Sequence, residues 1–132
     1  MSDLIPSEKG GLIGLLHGAG GAIDFPQPFE RDIFLFETGV AGTKHVENTL
    51  EIEPTLQIDD RLNFFREPDN PYDKSAIAVC TESGQKLGYI PRMDNIVCSR
   101  LMDAGKLLFG KLTYKKVAEG WLFLEMKIYM HE

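Results

Sequence analysis

The sequence predicts a mainly β protein: a small closed or half-closed barrel of about six short strands, one main α-helix over about 93–105, and an N-terminal arm. Three observations carry this. From Asp32 onward the chain breaks into short runs alternating apolar with polar side chains, the period of half-buried strands. Gly, Pro, Asn and Asp cluster between those runs, where turns need them. Only the stretch near 93–105 carries a clear helical period. At 132 residues and 43% hydrophobic content the chain fits one domain with a core of its own.

The elements follow in order. Residues 1–30 hold Gly10, Gly11, Gly14, Gly18, Gly20 and Gly21, and end near Pro26 and Pro28. Each glycine costs a helix about 1 kcal/mol relative to alanine. We therefore expect a partly ordered arm over 1–30, docked on the domain or on a second copy, and place the barrel at 31–132. IFLFETGV (33–40) reads as the first strand, and TLEIE (49–53) alternates like a second, continued by Leu56 and Ile58. RLNFFRE (61–67) and AIAVCT (76–81) are strands; Glu82-Ser83-Gly84 is a hairpin turn, with QKLGYI (85–90) returning and Pro91 ending it. In the helix, Asp94 is the expected N-cap and Gly105 the C-terminal cap, with Ile96, Val97, Leu101 and Ala104 on one face. KLLFGKLTYKKV and GWLFLEMKIYM form the last hairpin, joined through Ala118-Glu119-Gly120.

The net charge of −6 argues against a protein that coats DNA non-specifically. The charge is uneven. Residues 61–118 hold ten Lys/Arg against six Asp/Glu, whereas residues 1–60 hold three against eleven. A basic middle in an acidic chain is either a local anion site or a set of solvated faces. No apolar run reaches the ~20 residues of a membrane helix. LIGLLHGAGGAI (12–23) lacks the basic start of a signal peptide, so a cytoplasmic location is expected. Cys80 and Cys98 sit outside any CxxC and read as buried free thiols.

The densest chemistry lies in REPDNPYDKSAIAV (66–79). Pro68 and Pro71 fix their own φ and hold Glu67 and Asn70 extended. Asp69 and Asn70 can each bond backbone amides two residues on. The loop is thus rigid, and Asp73 is expected to bond backbone amides or a nearby hydroxyl. Three uses remain open: a stapled turn, a platform presenting Tyr72, Asp73 and Lys74, or a hard-cation site from Glu67, Asp69 and Asp73. The prolines spread those carboxylates, and His17, His45 and His131 have no zinc spacing, so no metal or cofactor is expected. GxSxG, HExxH and GxxxxGK[ST] are all missing, and no catalytic residue is nominated.

REPDNPYDKSAIAV, GQKLGYIPR and RLMDAGKLL, at these spacings, resemble the HIRAN domain over roughly residues 36–118. The resemblance implies a six-stranded barrel related to the OB and SH3 types, acting as a nucleic-acid-binding module without catalysis of its own. HIRAN domains occur fused to helicase-like chromatin and DNA-repair proteins, and as small stand-alone bacterial proteins; without helicase motifs, this chain is similar to the latter. Single-stranded DNA, and a helicase, nuclease or other DNA-processing protein, are the implied partners, with no membrane. In helicase-like members the domain grips the 3′ end of single-stranded DNA. Carried over by motif, Tyr72 supports the terminal nucleotide and Asp73 accepts from its 3′ hydroxyl, while Tyr89 and Arg92 form a second contact patch. Lys74, Lys44 and His45 complete the edge. Where those members carry an Arg-Tyr-Tyr cluster, this chain reads GVAGTKHVEN (39–48), and only Lys44 and His45 stand in. Two rival readings are a protein-interaction or self-assembly module, forming a homo-oligomer through the arm, and a metal-dependent hydrolase-associated subunit. A basic cleft beside Tyr72 favours nucleic acid; an apolar patch there favours protein.

Overall fold

A computed structural model describes residues 31–132, and the arm expected over 1–30 lies outside them. Six antiparallel strands make one sheet in the order β1-β6-β5-β2-β3-β4. They are β1 (Asp32–Gly39), β2 (Arg61–Arg66), β3 (Ile77–Thr81), β4 (Lys86–Tyr89), β5 (Leu107–Ala118) and β6 (Trp121–His131). The sheet curls into a half-barrel whose two ends meet beyond β1. There Ala41 and Tyr89 exchange N–H···O bonds of 2.8 and 2.9 Å. Gly88 makes that approach possible: a Cβ on it would lie 2.3 Å from the Ala41 carbonyl oxygen.

Period-two alternation works as expected in β6. Leu122, Leu124, Met126 and Ile128 face the core, while Trp121, Phe123, Glu125 and Lys127 face out. Together with Leu62, Ile77, Val79, Leu87 and Leu112 they form one buried cluster, each side chain contributing roughly 1.5–3 kcal/mol by leaving water. The β3–β4 turn has its glycine at positive φ, Gly84 at 94°. At the β5–β6 turn Glu119 and Gly120 both have positive φ, 55° and 79°, as a two-residue hairpin of matching twist requires.

Three expectations are corrected. Residues 49–53 are not a strand: Thr49–Ile52 form a one-turn helix, α1, and Glu53–Thr55 a 3-10 turn. Ile52 and Leu56, four residues apart, are both buried, while Ile58 is exposed, so the apolar spacing served a helical turn. Pro54 sits in the first turn of the 3-10 segment, where a missing N–H costs nothing.

The main helix, α2, is Arg92–Asp103, and Pro91 rather than Asp94 is its N-cap. The Asp94 carboxylate instead accepts the Thr38 hydroxyl at 2.7 Å. The buried face is also not the one expected. Asn95, Cys98 and Ser99 point in, with Leu101 and Met102 half-buried, and Ile96, Val97 and Ala104 point out. Polar anchors at the helix start, Thr38 on Asp94 and Asn95 on Asp73, set this rotation against the pull of the aliphatic residues. The C-terminus ends as expected. Gly105 takes φ 94°, its N–H bonds Met102 O, and Lys106 N–H bonds Leu101 O. Both cysteines are buried and unpaired, and burial pushes the Cys98 thiol up to about 11.

Candidate nucleic-acid interface

The loop from Glu67 to Ser75 is stapled by its own side chains. Asn70 Oδ1 accepts the N–H groups of Tyr72 (2.8 Å) and Asp73 (3.2 Å), as its position predicted. No such bond joins Asp69 among the described residues. Asp73 Oδ1 accepts Ser75 N–H at 2.9 Å, and Glu67 N–H bonds Ala76 O at 3.0 Å. The turn reading therefore holds for Asp73, and its other oxygen is tied as well. Asn95, only 3% exposed, donates its amide to Asp73 Oδ2 at 2.7 Å. The Asn95 hydrogen bond, the Ser75 amide and the nearby Arg92 hold the Asp73 carboxyl below its ordinary range, so it stays ionised.

The loop also carries exposed groups. Tyr72 is 84% exposed, a ring left in water at the tip of a rigid loop. Arg92, from the start of α2, donates to Tyr72 O at 3.1 Å and holds its Nε 3.7 Å from Asp73 Oδ2. Its side chain is 74% exposed, so most of its five donors remain for a ligand. Lys74 lines the same shallow hollow as Tyr72 and Asp73. The hard-cation reading fails geometrically. Glu67 turns away to Lys86 and Tyr89, and no group of three or more His, Cys, Asp or Glu converges among the described residues.

Tyr89 is placed between this corner and a second one. Its hydroxyl donates to Glu67 Oε1 at 2.9 Å and accepts from Lys86 Nζ at 2.9 Å, so the hydroxyl is already engaged within the protein. Lys86 also binds Glu67 Oε2 at 3.0 Å and sits 4.8 Å from the Tyr89 ring. One hollow joins Tyr89 and Lys86 to His45; a second, of about 490 Å³, runs from His45 and Lys44 to Tyr114, Trp121 and Phe123. The seven expected residues thus fall in two groups: Tyr72, Asp73, Lys74 and Arg92 at one corner, Lys44 and His45 at the other, with Tyr89 between them.

The sequence reading missed the aromatics of the second corner. Trp121, Phe123 and Tyr114 are all half-exposed on the outer face of the β5–β6 hairpin, with Lys44 Nζ 4.5 Å above the Trp121 ring. A signal was available: in WLFLEMK, Trp121 and Phe123 share their alternation phase with Glu125 and Lys127, which marks them as outward. Half-exposed rings forgo part of their burial energy, and here they group into one exposed aromatic patch.

Comparison with known proteins adds the following. The HIRAN domain family profile matches residues 33–132. A crystal structure of a Lactobacillus plantarum protein is similar, at 30% identity and a TM-score of 0.72, covering 78% of this chain and 99% of that one. The crystal structure of the HIRAN domain of human HLTF is 19% identical with a TM-score of 0.56, covering 76% of this chain and 81% of that one. The comparison with curated proteins gave no match.

Proposed function

Because this chain belongs to the HIRAN domain family, we propose that it is a nucleic-acid-binding module that takes the 3′ end of a single strand at the corner of Tyr72, Asp73 and Arg92, without catalysis of its own. The observation that carries this is the pairing of an ionised, partly exposed carboxylate with an exposed ring and an exposed guanidinium. Each Asp73 oxygen accepts one hydrogen bond from the protein, which leaves a lone pair on each to accept a terminal hydroxyl. Tyr72 supports the sugar or base, and Arg92 meets the last phosphate. The Arg-Tyr-Tyr cluster of helicase-like members has no counterpart at 39–48, where Val40 and Ala41 serve the closure of the barrel. Trp121, Phe123 and Tyr114, with Lys44 beside them, supply stacking surface instead, at about 1–3 kcal/mol per stacked base.

Anisotropy with 3′-hydroxyl, 3′-phosphate and duplex oligonucleotides at several salt concentrations tests this. Asp73→Asn should erase the preference for 3′-hydroxyl ends, because the carboxylate accepts from the hydroxyl and repels the phosphate. Arg92→Ala should weaken every strand alike and flatten the salt slope by about 0.7, one phosphate contact on a single strand. No binding of any single strand at low salt would discard the reading.

A protein-interaction or self-assembly role draws on one observation. Met93, Ile96 and Val97, on the same helix as Arg92, are exposed at one-turn spacing. Sedimentation over a concentration series separates the two: a dimer lost in Ile96→Glu, with oligonucleotide affinity unchanged, would favour the second role.

A further inference from the structure

The outer face of the sheet carries a row of cations that the end-binding corner does not use. Arg61 on β2 lies opposite Lys111 on β5, and Lys111 lies opposite Lys127 on β6. Three positive side chains therefore stand side by side across three strands of a chain with net charge −6. The row ends at Glu37 on β1, opposite Lys127, whose carboxylate accepts the Thr113 hydroxyl at 3.1 Å. Among the described residues, none of the three cations has a carboxylate within ion-pair distance. Like charges directly opposite one another in a sheet are destabilising, so the arrangement works against the fold.

A row of rings runs beside the cations. Phe109 and Tyr129 stack at 5.4 Å, and Phe34 meets Tyr129 edge-on at 5.8 Å. Arg61 sits 4.1 Å from the Phe109 ring, Lys111 5.3 Å from Tyr129 and Lys127 5.8 Å from Phe34. The rings flank the cations without neutralising them. Phe34 is 51% exposed.

We propose that this ridge, Arg61, Lys111 and Lys127 with Phe34 at its side, is a second, end-independent contact for the backbone of single-stranded nucleic acid. The cations meet successive phosphates and the open Phe34 ring takes a base, the combination by which grooves hold single strands without reading sequence. An exposed ring beside the charges favours a strand with free base faces over an acidic polypeptide. The inference extends the end-binding reading, but its test does not need an end.

The test is circular single-stranded DNA, bound by the full chain in anisotropy or filter assays over a salt series. Wild type should bind the circle. The Lys111→Gln/Lys127→Gln variant should bind it more weakly, with a salt slope shallower by about 1.4, two single-strand phosphate contacts. The same variant should melt no lower than wild type, and higher if the like charges are in conflict, an outcome that purely structural lysines would not give. If the circle binds and depends on the lysines while 3′ ends show no preference, the ridge stands and the end reading falls. Equal binding of the circle by wild type and the double variant, no binding of it at low salt, or equal competition by polyglutamate would overturn the ridge.

Discussion

Glu67 shows how much of the interface is held by single side chains. Partial burial pushes its carboxyl up, but hydrogen bonds from Lys86, Asn70 and Tyr89 outweigh this and hold it below the ordinary value of 4.5. A depressed carboxylate contributes stability that is fully present above its unfolded pKa and is lost as pH falls through the folded one. Asp73 and Asp103 are depressed too, and add in the same direction. Melting temperature should therefore hold steady down to the ordinary carboxylate range and drop below it, and Glu67→Gln should flatten that acid limb in thermal melts followed by circular dichroism. At this scale the sequence was informative about Asn70, whose side chain folds back where its residue type says it should. It was silent about Asn95 because that partnership spans 22 residues, and it offered Tyr89 as a contact without showing that its hydroxyl is already engaged.

Elements were legible where a local rule decides them and obscure where packing does. The three-residue turn at Gly84, the end of α2 at Gly105 and the outward phase of β6 all follow from nearby residue types. The short alternation at 49–53 fitted either a strand or a turn of helix, and the distant core chose the helix. The rotation of α2 was set by Thr38 and Asp73, residues far from it in the chain. The row formed by Arg61, Lys111 and Lys127 depends on cross-strand register, which no local pattern records. Gly88 in the GYIPR motif belongs here as well: it lets β4 approach the chain at Ala41. Gly88→Ala should lower stability by about 1–3 kcal/mol, several degrees in melting temperature, because its Cβ would press against the Ala41 carbonyl and Val40 Cγ1.

At the scale of the described molecule, residues 31–132 carry six strands and a core cluster, and the Arg31 guanidinium pairs with the Glu132 carboxylate at 3.0 Å where β1 begins and β6 ends. We expect a chain lacking residues 1–30 to fold with a single cooperative melt; loss of cooperativity would move the domain boundary toward the N-terminus. Among the described residues the half-barrel is fastened by the Ala41–Tyr89 bridge, beside both corners of the candidate interface. A fastening of two hydrogen bonds can unclip while the rest of the sheet stays intact. In amide hydrogen exchange, the Ala41 and Tyr89 N–H groups should exchange through local opening, far faster than those of the β2–β3 ladder. A strand lying from Tyr72 across Tyr89 to Trp121 would bridge that seam. It should slow exchange at those two amides first, so that the fastening reports occupancy even where no amide touches the ligand.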